Sequence, residues 1–500
     1  MGGVRTALYN YLFAKQRGGD FIIRIEDTDS QRFVPGAEKY IIEALNWCGI
    51  VPDEGVDAAG NVVETASERH PHAPYRQSQR KPIYRQYAEQ LVENGYAYYA
   101  FDTAEELGAK RAEMEAAGQT FIYGQTTRMG LRNSLAMDEA EVKELLETRT
   151  DWTIRFKMPE NRVVKMDDLI RGHVEVNTST LDDKVLWKRA DELPTYHLAN
   201  IVDDHLMEIT EVIRGEEWLP SLPLHYLLYE AFGWTDTQPR FAHLSLLLKP
   251  DGKGKLSKRD GDRLGFPVFP LQWGNSEGEV SRGYREDGYF PEAFVNLLAM
   301  LGWNPGTEQE LFSLEELVQT FSLERVIKSG ARFNADKAKW YNKEYLRKKS
   351  VGELTDLYMP ILEAKGISAT REYVEKVVAL IQERATFVAD FWDIASYLFV
   401  APTEFVEKDA AKFWKEENYT LALKAADFIM AFDGEFTPEG LGQPLEEYIR
   451  SNEWPMGKVM NCLRLALVGA SSGLGIADIV TLIGKEEFAR RIEYIKSKLC

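Results

Sequence analysis

A glycine-flanked basic segment at residues 249–263 carries the groups needed to handle phosphate. Its sequence is KPDGKGKLSKRDGDR, and five bases and one hydroxyl, that of Ser257, follow its first glycine. Lysine side chains attract phosphate oxygens as point charges, while hydroxyl and backbone N–H groups donate hydrogen bonds to them. The glycines would let such a loop close over a nucleotide. Composition alone favours a solvated surface loop, because most runs of charge are simply exposed.

An acidic cluster, EDTD at residues 26–29, directly follows a predicted buried strand at 20–25. In parallel α/β sheets, charged groups just past the carboxyl ends of strands lie where ligands bind. Glu26 and its neighbours therefore indicate a binding site. Acids placed at a helix N-terminus for its dipole explain Asp27 and Asp29 equally well.

A second polar group comes from the middle of the chain. Tyr196 and Asn200 are four residues apart, so on a helix they share one face, which could line a pocket. Arg214 ends another predicted strand, 208–213, and two glutamates follow it. Simpler explanations stay open here: a partly buried aromatic pair of Tyr196 with the next histidine, and a surface ion pair for Arg214.

The elements that must position these groups alternate between helix and strand at the start of the chain. Periodic apolar residues predict helices over 6–16 and 37–48 on either side of the first strand, which is the order of a parallel α/β sheet. Residues 96–190 combine charged helices with short predicted strands, and we interpret them as an insertion. From about residue 270 onward the pattern is helical almost throughout.

The segment 325–349 holds nine bases against two acids, with Phe333, Trp340, Tyr341 and Tyr345 interleaved. Bases with aromatic rings suit an RNA backbone and unstacked bases, although a solvated helix pair explains the pattern equally well. Seven of the bases are candidate RNA contacts: Arg325, Lys328, Arg332, Lys337, Lys339, Lys343 and Arg347.

The composition is that of a globular protein of several domains, with 500 residues, 44% hydrophobic content and a net charge of −19. The longest apolar runs are too short to span a bilayer and no signal-peptide pattern opens the chain, so we expect a cytoplasmic protein without a membrane partner. Its three cysteines are scattered, so neither a disulfide framework nor a Cys-x-x-Cys zinc site is expected.

Six motifs together resemble the bacterial-type glutamyl-tRNA synthetases, which are class I aminoacyl-tRNA synthetases. The resemblance runs from residue 2 to 499, and the motifs stand in the family's order and near its spacing. They are GGVRTAL at 2–8, RIEDTD at 24–29, PYRQS at 74–78, PTYHLAN at 194–200, IRGEEW at 213–218 and KLSKR at 255–259, the last resembling the KMSKS signature.

The resemblance implies a role for each candidate residue. Glu26 would accept the α-amino group of L-glutamate, Tyr196 and Asn200 would hydrogen-bond the amino acid, and Arg214 would hold its γ-carboxylate. The catalytic group would be Lys255, Ser257 and Lys258. The ATP site would comprise Gly2, Gly3, Arg32, Glu217, Trp218, Leu247, Lys255 and Lys258. The nucleotide implies Mg²⁺, for which no metal-ligand cluster is visible in the sequence.

The implied fold is a Rossmann-type α/β catalytic domain with an inserted α+β acceptor-binding module, followed by an all-α anticodon-binding region. The expected parts are the catalytic domain at 1–95 and 191–245, the inserted module at 96–190, the KMSKS-type loop and stem-contact domain at 246–324, and the helical region at 325–500. The expected protein is a monomer that charges tRNA(Glu).

The chain departs from the family pattern in three places. Ala100 stands near the position of the zinc cysteines of some members, so we expect no zinc. Glu192 replaces a usual glycine. The first strand and the HIGH signature have no counterpart, from which we expect a translation start upstream of Met1. Two alternatives stay open: a catalytically inactive tRNA-binding homologue, and an enzyme that also charges tRNA(Gln).

Overall fold

The computed structural model describes residues 1–29, 34–274 and 278–499, apart from the side chains of Lys258, Asp262 and Leu499. Contacts between residues divide the chain into two compact units. Unit 1 comprises Met1–Asp287 and Pro291–Ala338, and unit 2 comprises Gly288–Phe290 and Lys339–Cys500. The five-part division expected from the sequence is finer than these two units.

The helices of the described residues lie at the following positions. They are α1 Gly2–Gln16, α2 Ala37–Trp47, α3 Lys81–Glu93, α4 Ala104–Ala116, α5 Glu139–Thr148, α6 Tyr196–Leu206, α7 Leu222–Phe232, α8 Lys258–Leu264, α9 Pro291–Met300, α10 Leu314–Thr320, α11 Ala335–Lys348, α12 Val351–Ala364, α13 Arg371–Ile381, α14 Asp390–Ala395, α15 Glu407–Phe413, α16 Glu416–Ala431, α17 Pro438–Ser451, α18 Met456–Val468 and α19 Ile476–Leu499. Helix α19 is broken at Gly484, whose φ of 81° is not helical.

The strands are short and all but a few belong to two sheets of unit 1. They are β1 Ala97–Ala100, β2 Thr153–Phe156, β3 Val163–Asp168, β4 Gly172–Asn177, β5 Val185–Lys188, β6 Leu193–Pro194, β7 Glu211–Gly215, β8 Arg240–Leu244, β9 Leu247–Leu248, β10 Trp273–Gly274, β11 Val280–Ser281 and β12 Ala331–Arg332.

The sheet that carries the candidate site has the strand order β4-β3-β8-β7. Strands β7 and β8 are parallel, with Arg214 opposite His243, and β3 joins β8 in parallel at Asp168 and Phe241. Strands β3 and β4 form an antiparallel hairpin. The hairpin comes from the stretch expected to be the inserted module, so part of that stretch completes the sheet of β7 and β8.

A second, antiparallel sheet has the order β1-β2-β5-β6. Its inward side chains include Ile154, Phe156 and Trp187, which pack with residues of α6 and α7 in one buried cluster. The alternation of buried and half-buried residues along β2 is the two-residue period of a strand with one face in the core. This core fixes the start of α6, and with it Tyr196.

The strand predicted at 20–25 is reduced to two isolated parallel bridges, Ile22 with Glu54 and Ile25 with Arg76. The prediction of a regular strand there was wrong because each neighbouring segment pairs with this one at a single residue. The apolar side of the segment is partly buried nonetheless, since Ile22, Ile23 and Ile25 pack against the cluster around Tyr75.

Glu192 has a φ of 55°, which is the left-handed region. This conformation costs an L-residue with a Cβ atom roughly 1–2 kcal/mol relative to glycine. The backbone therefore explains why the resembling family usually has glycine at this position. The glutamate side chain forms an ion pair with Arg189.

Unit 2 is helical, as the sequence predicts. Its helices bury residues at helical spacing: Leu441, Leu445 and Ile449 of α17 are four residues apart and fully buried. Helices α16, α17, α18 and α19 pack against one another, and α12 packs against α13.

Candidate active site

The side chains of Tyr196 and Asn200 meet on one face of α6, as their spacing predicts. Asn200 Nδ2 donates a hydrogen bond to Tyr196 Oη at 3.0 Å. The Tyr196 ring lies 4.2 Å from the Trp218 ring, centroid to centroid, and also contacts His197 edge-on. Burial raises the pKa of Tyr196 to about 12, so its hydroxyl keeps its proton at neutral pH.

Arg214 is buried at the carboxyl end of β7, with only 7% of its surface exposed. Its Nε donates to His243 Nε2 at 3.0 Å, and its Nη1 donates to Tyr196 Oη at 3.0 Å and to His225 Nδ1 at 3.3 Å. Within the part of the chain that the structure describes, no carboxylate pairs with this guanidinium. A buried cation without a counterion is a binding site for an anion.

The surface ion pair considered for Arg214 from the sequence does not form. Glu216 pairs instead with Arg171 at 2.6 Å, and Glu217 pairs with Lys255 at 3.2 Å. Because Glu217 and Lys255 are both exposed, their pair contributes little to stability and can be exchanged for a ligand.

Three histidines surround the guanidinium. Burial, reinforced by the nearby cationic charges of Lys184 and Arg214, lowers the pKa of His197 to about 4. Burial also lowers the pKa of His225 well below its usual value, and lowers that of His243. All three imidazoles are therefore neutral at pH 7 and add no positive charge that would compete with Arg214 for an anion.

Replacing His197 with glutamine is expected to make stability less sensitive to acid. The folded-state pKa of His197, about 4, lies below the unfolded value of 6.5. The stability that the neutral imidazole contributes to the folded state is therefore fully present above pH 6.5, and it is lost as the pH falls toward 4. The loss amounts to up to about 3 kcal/mol. Urea unfolding at pH 7.5 and pH 4.5 measures it, and equal acid losses in the two proteins would contradict this account.

Glu26 lies at the exposed edge of a buried polar network. Arg24 Nη2 contacts Glu26 Oε1 at 3.3 Å and donates to Asn200 Oδ1, while its Nη1 donates to Asp204 Oδ1 at 3.0 Å. The chain of hydrogen bonds from Glu26 through Arg24, Asn200 and Tyr196 to Arg214 joins the residues that the sequence predicts for one amino acid.

The basic loop ends in α8, whose N-cap is Ser257. The Ser257 hydroxyl donates to Asp260, so in this conformation it serves a capping box. Leu247 is buried in β9, and its carbonyl accepts a hydrogen bond from the Leu256 amide at 2.8 Å, which ties the loop back to the sheet edge. The side chain of Lys258 is outside the described residues.

Gly2 and Gly3 form the first turn of α1 and are exposed. A Cβ atom built on either glycine would meet no atom within 4 Å, so both positions have open space on the side-chain side. The first N–H groups of a helix lack intrahelical partners and suit an anion. Arg32, the other predicted phosphate contact from this end of the chain, lies outside the described residues.

The predicted basic track is distributed over the two units and is only partly exposed. Arg325, Lys328, Arg332 and Lys339 are exposed, whereas the other three predicted contacts, Lys337, Lys343 and Arg347, are half-buried.

Three of the four aromatic residues interleaved in this track present no ring to an RNA base. Phe333, Tyr341 and Tyr345 are buried in the protein core. Tyr341 and Tyr345 face inward from α11, and Phe333 lies buried between β12 and α11, which spacing within a basic segment does not reveal.

Sequence reasoning missed Asp168, His225 and His243, although all three belong to the surroundings of Arg214. Asp168 Oδ2 lies 2.6 Å from His243 Nδ1. Strand register is the signal that points to His243, since Arg214 and His243 both stand one residue before the end of their strands. That signal appears only once β7 and β8 are known to pair.

No group of three or more His, Cys, Asp or Glu side chains is arranged to hold a metal ion within residues 1–29, 34–274 and 278–499. Among the helices of the same residues, none combines the length and the apolar character needed to cross a bilayer.

Two family models match this chain. The one described as tRNA synthetases class I (E and Q), catalytic domain, matches residues 1–340, and the one described as anticodon binding domain matches residues 353–496. Together they confirm the predicted fold class, an α/β catalytic part followed by a helical anticodon-binding part.

Two related proteins and one solved structure are similar to this chain over nearly its whole length. The glutamate–tRNA ligase of Parabacteroides distasonis is 56% identical over 496 residues, covering 99% of this chain and 95% of that protein. That of Phocaeicola vulgatus is 55% identical, covering 98% and 95%. The crystal structure of a glutamate tRNA ligase from Elizabethkingia meningosepticum, in complex with its amino acid, has a TM-score of 0.94 at 50% identity and covers 100% of this chain and 97% of that chain. The resemblance seen in the six motifs is thereby confirmed, and this chain belongs to the class I tRNA synthetases of the glutamate and glutamine group.

Proposed function

We propose that the chain is a glutamate–tRNA ligase, which activates L-glutamate with ATP to glutamyl-adenylate and transfers the glutamyl group to the 3′ end of tRNA(Glu). The observation that carries the proposal is Arg214, a buried cation that has hydrogen-bond acceptors behind it and no carboxylate partner among the described residues. The near-full-length similarity to glutamate–tRNA ligases supports it independently.

The groups around Arg214 favour a carboxylate over an amide because the Arg214 guanidinium and the Tyr196 hydroxyl both have a proton to donate to a ligand. Tyr196 Oη already accepts hydrogen bonds from Arg214 Nη1 and Asn200 Nδ2, so its own proton is left for a ligand. Arg214 Nη2 makes only a long contact, 3.4 Å, with the Trp218 carbonyl. A γ-carboxylate accepts from both groups, whereas the NH₂ of glutamine would face a donor.

The α-amino group of glutamate needs an acceptor, and Glu26 supplies it. Asn200 Oδ1 and Asp204 Oδ1 already accept hydrogen bonds from Arg24. The Glu26 side chain is 40% exposed, and among the described residues its carboxylate pairs with the edge of Arg24, so it can approach an ammonium group. Charge complementarity at both ends orients the amino acid.

Activation requires positioning and charge stabilisation, and no nucleophilic side chain. An α-carboxylate oxygen of glutamate attacks the α-phosphorus of ATP, a P–O bond forms, and the bond to pyrophosphate breaks. Lys255 and Lys258 stabilise the charge that develops on pyrophosphate, and Gly2 and Gly3 offer backbone N–H groups to the phosphates. Glu217, Trp218, Leu247 and Arg32 complete the ATP site in this proposal. A 3′-terminal ribose hydroxyl of the tRNA then attacks the glutamyl carbonyl and AMP leaves.

Magnesium enters this scheme only as the ion that accompanies the nucleotide. It would be held chiefly by the phosphate oxygens and water, as is usual for Mg²⁺ bound with a nucleotide.

Contacts with tRNA are proposed for the seven bases of the track between Arg325 and Arg347. The match of residues 353–496 to an anticodon binding domain supports an RNA-binding role for the helical part. The exposed members, Arg325, Lys328, Arg332 and Lys339, are the strongest candidates, because an exposed basic side chain can reach a phosphate.

Charging of purified tRNA with radiolabelled glutamate tests the proposal. We expect acid-precipitable product with tRNA(Glu), ATP and glutamate and none when one is omitted. Parallel reactions with tRNA(Gln) decide whether the enzyme is discriminating. Binding of tRNA(Glu) without any charging or ATP–pyrophosphate exchange would favour the inactive tRNA-binding homologue.

Replacing Lys255 with alanine is expected to slow adenylate formation roughly 100-fold, because one donor to the developing charge is removed. Lys253→Ala is the matched control, since Lys253 is an exposed lysine of the same loop with no predicted role. Glutamate-dependent ATP–pyrophosphate exchange in the presence of tRNA measures both. Equal losses in the two variants would show that only the general charge of the loop matters.

A further inference from the structure

The guanidinium of Arg214 is held from behind by a buried pair, Asp168 and His243. Arg214 and His243 are register partners on the parallel strands β7 and β8, so their side chains leave the sheet on the same side. Arg214 Nε lies 3.0 Å from His243 Nε2, and His243 Nδ1 lies 2.6 Å from Asp168 Oδ2. His243 is fully buried and Asp168 is 4% exposed.

The direction of both hydrogen bonds follows from chemistry. A guanidinium has donors only, so His243 Nε2 must be the acceptor of the Arg214 Nε proton. In a neutral imidazole the proton then sits on Nδ1, where it is donated to Asp168. The donor and acceptor roles of Arg214, His243 and Asp168 are therefore fixed.

Asp168 is itself fixed in place. Its Oδ1 accepts backbone N–H groups of Ile170 at 2.9 Å, Arg171 at 2.7 Å and His243 at 3.3 Å. Burial acts to raise the pKa of Asp168, but the hydrogen bonds from His243 and from the backbone outweigh it and the pKa lies below its usual value. The carboxylate is thus ionised and immobile at the end of β3.

The three bonds leave Arg214 little rotational freedom. Its Nε and Nη1 are engaged by His243, His225 and Tyr196, while Nη2 meets only a carbonyl at 3.4 Å. An arginine side chain that is ordered before its ligand arrives loses less entropy on binding.

We infer that Asp168 and His243 are positioning residues for glutamate recognition: they fix the orientation of the Arg214 guanidinium so that its free edge meets the side-chain carboxylate. The inference rests on the proposed function, because it concerns how the same pocket selects its amino acid. Neither residue touches the substrate. Asp168 acts through His243, and His243 acts through Arg214.

Asp168→Asn is the sharpest test, since it keeps the shape and the backbone contacts. The new amide would donate a hydrogen bond to His243 Nδ1, so the imidazole proton would move to Nε2. The Nε2–H of His243 and the Nε–H of Arg214 would then be two donors facing each other. We expect the KM for glutamate to rise roughly 30-fold, with the KM for ATP changed less than about twofold. Asp167→Asn, at the exposed neighbouring carboxylate, is the matched control and is expected to behave like the wild type.

His243→Gln provides the rescue. The glutamine amide oxygen can take the place of Nε2 as acceptor for Arg214 without needing Asp168, so the KM for glutamate is expected to stay within about fivefold of the wild type. Adding Asp168→Asn to His243→Gln is then expected to change nothing further, which a double-mutant cycle detects. This double variant also keeps the test open if Asp168→Asn alone folds poorly.

Glutamate-dependent ATP–pyrophosphate exchange with tRNA present, together with thermal unfolding of each variant, gives the outcome. A glutamate-specific KM effect that disappears in the His243→Gln background supports the inference. An unchanged KM in Asp168→Asn, or parallel losses for glutamate, ATP and thermal stability, overturns it. If the wild type itself shows no glutamate-dependent exchange, the proposed function fails and this inference fails with it.

Discussion

Replacing Arg214 with glutamine is expected to lower kcat/KM for glutamate roughly 100- to 1,000-fold. The substitution removes a buried cation that faces the amino acid and leaves the substrate carboxylate without a charged partner, which costs about 3–4 kcal/mol. At 1.4 kcal/mol per factor of ten, that cost spans two to three orders of magnitude.

The kind of loss identifies the role of Arg214. Arg214→Lys keeps the charge but cannot donate to His243, Tyr196 and a ligand together, so it too is expected to lose most activity. Discrimination between glutamate and glutamine is expected to collapse in both variants. Arg240→Gln, on the exposed start of the neighbouring strand, is the control. A loss below about tenfold in Arg214→Gln would contradict the assignment.

Replacing Asp203 with alanine is expected to destabilise unit 1 by about 3–5 kcal/mol, the cost of leaving a buried charge unpaired. Asp203 is fully buried in α6 and accepts hydrogen bonds from Gln77 Nε2 at 2.9 Å, Arg80 Nε at 2.9 Å and Tyr84 Oη at 2.7 Å. Arg24 Nε lies 3.7 Å from the same carboxylate. Removing the Asp203 carboxylate leaves the buried Arg80 cation without its ion-pair partner.

Urea unfolding of Asp203→Ala measures this cost. Asp236→Ala removes an exposed carboxylate and is expected to change the free energy of unfolding by less than about 0.5 kcal/mol. Because Asp203 belongs to the same helix as Tyr196 and Asn200, the variant is also expected to weaken glutamate binding. A destabilisation below about 1 kcal/mol would show that the network around Asp203 contributes little to the fold.

The part of the site that depends on local spacing was predictable from the sequence. Tyr196 and Asn200 are four residues apart and meet on α6, and Arg214 stands at a strand end where parallel sheets bind ligands. The helical character of the second half follows equally from periodicity, as in α17 with its buried Leu441 and Ile449.

The part that depends on long-range pairing was not predictable. Asp168 and His243 are 75 residues apart and meet only because β3 joins β8 in parallel. A histidine in the apolar strand β8 has no local feature that distinguishes a packing role from a polar one. The strand prediction for residues 20–25 was wrong for the same reason, since this segment pairs with single bridging residues and not with strands.

Backbone conformation explains one departure that sequence could only note. Glu192 occupies a left-handed position, with φ 55°, so the usual glycine of the resembling family is a conformational requirement. Spacing along the sequence predicts no φ angle, and the glutamate of this chain shows that the strain is tolerated.

The position of the bound amino acid tests the central claim most directly. A crystal structure of this protein with L-glutamate is predicted to place the γ-carboxylate about 3 Å from Arg214 Nη2 and Tyr196 Oη, with the α-amino group at Glu26. Glutamate bound in the reverse sense, with its α-carboxylate at Arg214, or bound away from Arg214 altogether, would contradict the account.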